Sequence, residues 1–113
     1  MAHLLDFIAD RVLLLDSAMG SRVQALELDI ERDYAGQENC TEILNRTRPD
    51  LIREIHLSCL EAGSDAVQTN SFGGSPVTLA EFDLHDDAFD LNRLSAEIAR
   101  EAVGSFSADG RER

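Results

Sequence analysis

DAVQTNSFGGSP, residues 65–76, decides the reading of the fold. Asp65 to Thr69 reads as a short buried strand that runs straight into a polar, glycine-rich loop, with no hairpin turn to send the chain back. RVLLLDSAMGS, residues 11–21, has the same build: the apolar run Val12 to Leu15 leads directly to Asp16, small residues, Met19 and Gly20. Between the two lies TRPDLIREIHLSCLEAG, residues 47–63, which predicts a helix. Thr47 is its expected cap, Pro49 stands in the first turn, Asp50 is near the positive helix end and Gly63 is the stop. Strands joined by a helical crossover of this length lie parallel. In parallel α/β sheets, ligands bind beyond the carboxyl ends of the strands. If the strands are neighbours, Asp16 to Gly20 and Gln68 to Gly74 therefore line one site.

The remaining segments fit that alternation. HLLDFIADR, residues 3–11, carries Leu4, Leu5, Phe7 and Ile8 as the stripe of a short helix lying across the first strand. VLLLD is apolar on both faces, as expected of a parallel strand covered by helices. SRVQALELD, residues 21–29, predicts a short helix and IERDYAGQENC, residues 30–40, a loop. Leu51, Ile52, Ile55, Cys59 and Leu60 share one face of the 47–63 helix. VTLAEF, residues 77–82, predicts a short helix, and a long one runs from about Asp86 to Ser105 with Phe89, Leu91, Leu94, Ile98, Ala99 and Ala102 as its buried stripe. Residues 107–113 form a polar C-terminal tail. The expected fold class is α/β.

Composition narrows the function. The chain has 113 residues, 43% of them hydrophobic, enough for one core. Its 22 acidic and 10 basic residues leave a net charge of −12, which repels nucleic acid and anionic membrane surfaces. No apolar run approaches the roughly 18 residues of a membrane span, and the N-terminus lacks the basic head and cleavage site of a signal peptide. A cytoplasmic chain with free thiols at Cys40 and Cys59 is expected.

Three stretches together carry a resemblance. LLLDSAMGS (13–21), NCTEILNRTRPDLIREIH (39–56) and LEAGSDAVQTNSFGGSPVTLAEF (60–82) are similar, in order and spacing, to the opening of the homocysteine S-methyltransferase family. That family includes the homocysteine-binding part of methionine synthases and betaine-homocysteine methyltransferases. Its patterns run close to LDGGMGT, GCNEILNLTRPD and AGADxxETNTF, and the likeness extends over about residues 11 to 103. The resemblance implies a partial (β/α)8 TIM barrel: the first two β/α units with an N-terminal helix, since such a barrel takes about 250 residues. Residues 1–113 would then be the N-terminal part of a homocysteine-binding domain. The activity it implies is methyl transfer to zinc-activated homocysteine, giving methionine.

A zwitterionic amino acid needs a carboxylate for its ammonium and backbone N–H groups for its own carboxylate. Asp16 and the small residues after it offer both. The resemblance assigns Asp16 to the homocysteine amino group and the amides of Ser17 and Met19 to its carboxylate. The competing reading makes Asp16 the cap of the following helix. Gln68, Thr69 and Asn70 are placed in the pocket wall by the resemblance, although buried amides and hydroxyls at a strand end also serve neighbouring backbone groups. Many relatives carry glutamate where this chain has Gln68, so no charge is available there. Phe72, Gly73 and Gly74 shape the loop, the glycines supplying backbone conformations closed to other residues.

The resemblance implies zinc held by three cysteines from later segments, which this chain does not include. Cys40 matches a non-ligand cysteine of the family, Cys59 lies on a helix's buried stripe, and His3, His56 and His85 have no metal-site spacing. His56 is expected on the helix surface. No metal ligand is assigned, and the chain alone is expected to be inactive as a methyltransferase. Homocysteine is the expected small-molecule partner, and the rest of the barrel or a second copy the expected protein partner. A different class stays open beside it: a non-enzymatic interaction module pairing its exposed sheet edges with another chain. A self-contained flavodoxin-like ligand module is a third reading, disfavoured by too few strands and no GxGxxG loop.

Overall fold

A computed structural model describes residues 4–16, 18–37 and 40–107. Its α-helices are α1 (Leu4–Ile8), α2 (Met19–Gln24), α3 (Leu44–Thr47), α4 (Pro49–Ala62), α5 (Pro76–Leu79) and α6 (Ala88–Ser107), with 3-10 turns at Thr41–Ile43, Ala80–Phe82 and His85–Asp87. Of the expected polar tail, residues 108–113 lie outside the described residues, and Ser107 closes α6.

α4 and α6 form the centre. Pro49 occupies the first turn of α4, where a missing N–H costs nothing, and Gly63 ends it at φ 117°, a left-handed conformation that glycine adopts freely. Thr47 is not the cap. It closes α3, and its hydroxyl donates to the carbonyls of Asp33 and Ile43. The α4 stripe Ile52, Ile55, Cys59 and Leu60 is buried as its spacing predicts, and Leu91, Ile98, Ala99 and Ala102 of α6 are buried with it. Phe89, expected in that stripe, is exposed. Val23, Leu44, Ile52, Ile55 and Ile98 make one apolar cluster, and Cys40, Ile43, Leu79, Ala88 and Leu91 a second, with Tyr34 packed against both.

The expected α/β architecture, a partial barrel of two β/α units, is not present: among the described residues there is no strand and no sheet. The two segments read as strands do lie side by side, and their hydrogen bonds explain why no ladder forms. Leu14 O accepts from both Asp65 N–H at 2.7 Å and Ala66 N–H at 3.3 Å. Leu14 N–H donates to the Asp65 carboxylate at 2.9 Å, and Gln68 N–H to the Asp16 carboxylate at 3.2 Å. A parallel ladder needs evenly spaced N–H to C=O bonds. Carboxylates have taken two of those donors, and two strands without further neighbours are marginal in any case. Among the described residues no sheet edge is therefore available for the interaction-module reading.

The apolar run before Asp16 is also uncovered. Val12 is 78% exposed, Leu14 55% and Leu15 53%. α1 has no buried residue and so does not seal this segment. The guanidinium of Arg11 lies 4.2 Å from the Phe7 ring centroid and 3.6 Å from an Asp65 carboxylate oxygen.

Candidate functional site

Where the 12–16 and 65–69 segments end, a cavity of about 540 Å³ opens, lined by Asp16, Ala18, Met19, Gly20, Thr41, Glu42 and residues 68–72. Asp16, Met19, Gln68, Thr69 and Asn70, all singled out from sequence, are thus brought together. Ser17 lies outside the described residues. His3 does too.

Asp16 is not a helix cap. Ala18 is the N-cap of α2 in an extended conformation, and no side chain among the described residues caps that helix. Both Asp16 carboxylate oxygens instead lie 3.2 Å from Gln68 N, tying the end of one segment to the other. A carboxylate has about four acceptor sites, so a single N–H leaves capacity for a ligand. The Gln68 side chain is exposed at the pocket. Thr69 is exposed too, its hydroxyl 2.6 Å from that of Ser71.

Asn70 belongs to both pocket and core. It is buried, and its Nδ2 donates to Thr41 O and to Asn45 Oδ1, each at 3.0 Å. Asn45 Nδ2 returns a bond to Asn70 O at 2.9 Å and reaches Leu91 O at 3.2 Å. The reading of Asn70 as a server of backbone groups therefore describes its amide nitrogen. Glu42 Oε2 accepts from Gly73 N–H at 3.0 Å, and Asn92 Nδ2 donates to Gly74 O at 2.8 Å. The 70–74 loop is held at both ends, with Phe72 fully exposed at its tip.

Gly73 and Gly74 are glycine for a reason other than the expected one. Neither has a positive φ. A Cβ on Gly73 would sit 3.1–3.3 Å from the Glu42 carboxylate, and one on Gly74 2.5 Å from Asn92 Oδ1. A larger residue there requires the Glu42 carboxylate to give by a few tenths of an ångström or the Asn92 amide to shift.

His56 is a second correction. It is fully buried rather than at the helix surface, and neither ring nitrogen has a hydrogen-bond partner. Burial pushes its pKa down, opposed in part by the negative charge of Asp16. Cys40 and Cys59 are buried and are not joined in a disulfide, and neither lines the pocket. Burial pushes the Cys40 thiol pKa up, away from thiolate. Among the described residues, no group of three or more His, Cys, Asp or Glu side chains is placed to hold a metal ion.

Sequence reasoning missed Thr41 and Glu42. The signal was there, a threonine and a carboxylate inside the otherwise apolar run CTEIL, residues 40–44.

This chain belongs to the homocysteine S-methyltransferase family, whose sequence pattern matches residues 13–112. Among curated relatives it is 42% identical over 110 residues to the methionine synthase of Mycobacterium tuberculosis, a match covering 97% of this chain and 9% of that protein. The methionine synthase of Mycobacterium leprae is 40% identical over the same extent. The chain thus spans about 9% of the length of these relatives.

Proposed function

We propose that this chain is part of the homocysteine-binding domain of a methionine synthase, and that its pocket holds the amino-acid end of homocysteine while the thiol receives a methyl group. The observation that carries this reading is the convergence of Asp16, Met19 and Gln68–Asn70 on one cavity, in a chain whose family membership rests on nearly its whole length. Asp16 takes the ammonium as a charge-assisted acceptor. The backbone N–H of Met19, with that of Ser17, takes the carboxylate. Gln68 offers a neutral amide, and Thr69 and Asn70 complete the wall. The zinc of the complete protein would be held by residues other than these. Residues 1–113 supply one part of the domain, and two buried cysteines not joined in a disulfide suit work in the cytoplasm.

Asp16→Asn tests this reading, because asparagine keeps shape and acceptor for Gln68 N–H while removing the charge. Binding of L-homocysteine and of 4-mercaptobutyrate, which lacks the amino group, is followed by NMR titration of the 113-residue protein. Homocysteine binding is expected to weaken by about 1.5–3 kcal/mol, the range for hydrogen bonds to charged groups. The deaminated analogue is expected to bind wild type and variant alike. Equal affinity of both proteins for homocysteine would remove Asp16 from the site.

A further inference from the structure

Glu42 stands in the 3-10 turn Thr41–Ile43 and is 8% exposed, yet no cationic side chain among the described residues pairs with it. Its Oε2 accepts one bond, from Gly73 N–H at 3.0 Å, while Oε1 has no partner among the described residues. Asp33, 1% exposed, shows how this protein otherwise compensates a buried carboxylate: its Oδ2 accepts from Asp29 N–H at 2.9 Å, and its Oδ1 lies 3.0 Å from Arg48 and 3.5 Å from Arg32. Glu42 Oε1 is not among the buried atoms left without a partner, so it is open to the pocket that Glu42 lines. Glu42 shares its pocket with Asp16, and the described lining contains no lysine, arginine or histidine.

We propose that Glu42 is a second recognition residue of this pocket, fastening the 70–74 loop with Oε2 and presenting Oε1 to the ammonium group of the ligand that Asp16 also meets. The inference rests on the amino-acid reading and deepens it. An ammonium has three donors and can satisfy two carboxylates at once. The second negative charge also works against any anionic end of the ligand lying beside Glu42, which orients the ligand as well as attracting it. A residue that only fastened the loop would give no preference for an amine.

Glu42→Gln separates the two roles, since the glutamine oxygen still accepts from Gly73 N–H while the charge is gone. NMR titrations of the 113-residue protein with L-homocysteine and 4-mercaptobutyrate are expected to show homocysteine binding weakened about tenfold, as for loss of a charged hydrogen bond, with 4-mercaptobutyrate unchanged or tighter. Equal weakening of both ligands reduces Glu42 to a loop fastener and overturns the proposal, as does no change for either. Glu42→Asp keeps the charge and shortens the reach. Should the glutamine variant not fold, this one carries the test, with the same selective loss expected and an unselective loss or none overturning the proposal. Asp16→Asn in parallel keeps the readings apart. Loss of amine preference in Asp16→Asn but not in the Glu42 variants sinks this inference alone. Wild-type protein that binds both ligands equally, or neither, sinks the amino-acid reading with it.

Discussion

Asn45 and His56 are buried polar residues with opposite energetics. The Asn45 amide serves two carbonyls, Asn70 O and Leu91 O, and accepts from Asn70 Nδ2. Asn45→Ala would strand these groups in the interior, and a loss of about 1–3 kcal/mol is expected from urea melts, at the cost of leaving a buried group unsatisfied. His56 has no bond to lose. Its folded pKa is depressed below the ordinary value of 6.5, first by burial, so below that pH the unfolded chain takes up a proton that the folded protein resists. The sign follows: this contribution to stability is complete above the unfolded pKa and is lost as pH falls toward the folded one. His56→Leu is expected to flatten the decline between about pH 7.5 and about pH 5.5 and to leave stability at the upper pH unchanged or raised, as measured by urea melts at both values. An unaltered slope would show that another group sets the acid sensitivity. Asp33 adds a second fall at lower pH. Asp29 N–H and the Arg48 guanidinium hold its carboxyl below the usual range, so that stability is present above the unfolded pKa and lost in acid.

Among the elements, α4 follows local rules and the 70–74 loop does not. Gly63→Ala tests the helix end: nothing lies within 4 Å of the added Cβ, so the cost is backbone strain alone, expected at about 1–3 kcal/mol in chemical denaturation with ligand binding retained. Gly74→Ala places its Cβ against Asn92, whose Nδ2 also holds Ala88 O at 2.7 Å. Displacing that side chain frees one end of the loop, and weaker homocysteine binding is expected together with lower stability. The two glycines thus separate by readout, stability alone at Gly63 and stability with binding at Gly74. Long, regularly spaced elements such as α4 and α6 were legible because helical periodicity is a local property. Phe89 belongs to the other face of α6. Two residues before Leu91, it lies roughly 200° around the helix from it, opposite Leu91, Ile98 and Ala102, and the helical period itself accounts for its exposure.

For the whole molecule, Val12, Leu14 and Leu15 form an exposed apolar run on a chain of net charge −12. Self-association that grows with protein concentration is expected in sedimentation, opposed by charge repulsion at low salt and promoted when salt screens it. Val12→Lys with Leu15→Lys should return the protein to a monomer. A wild-type monomer at every salt concentration would show that this surface is not adhesive. No methyl transfer to homocysteine is expected from the 113-residue protein alone with zinc supplied, because neither cysteine reaches the pocket. Turnover that depends on zinc would overturn the placement of the metal outside these residues.

The sequence by itself determined the family, the α4 and α6 helices and the end of α4 at Gly63, since each is written in contiguous motifs or in a fixed period. Only the tertiary structure decided the rest. Whether VLLLD and DAVQT pair as strands depends on which groups meet their N–H donors, and the carboxylates of Asp16 and Asp65 take two of them. Whether His56 faces solvent depends on what packs over α4. Glu42 enters the site because the loop after the second segment folds back onto the Thr41–Ile43 turn, a contact between positions far apart in the chain that no local pattern specifies.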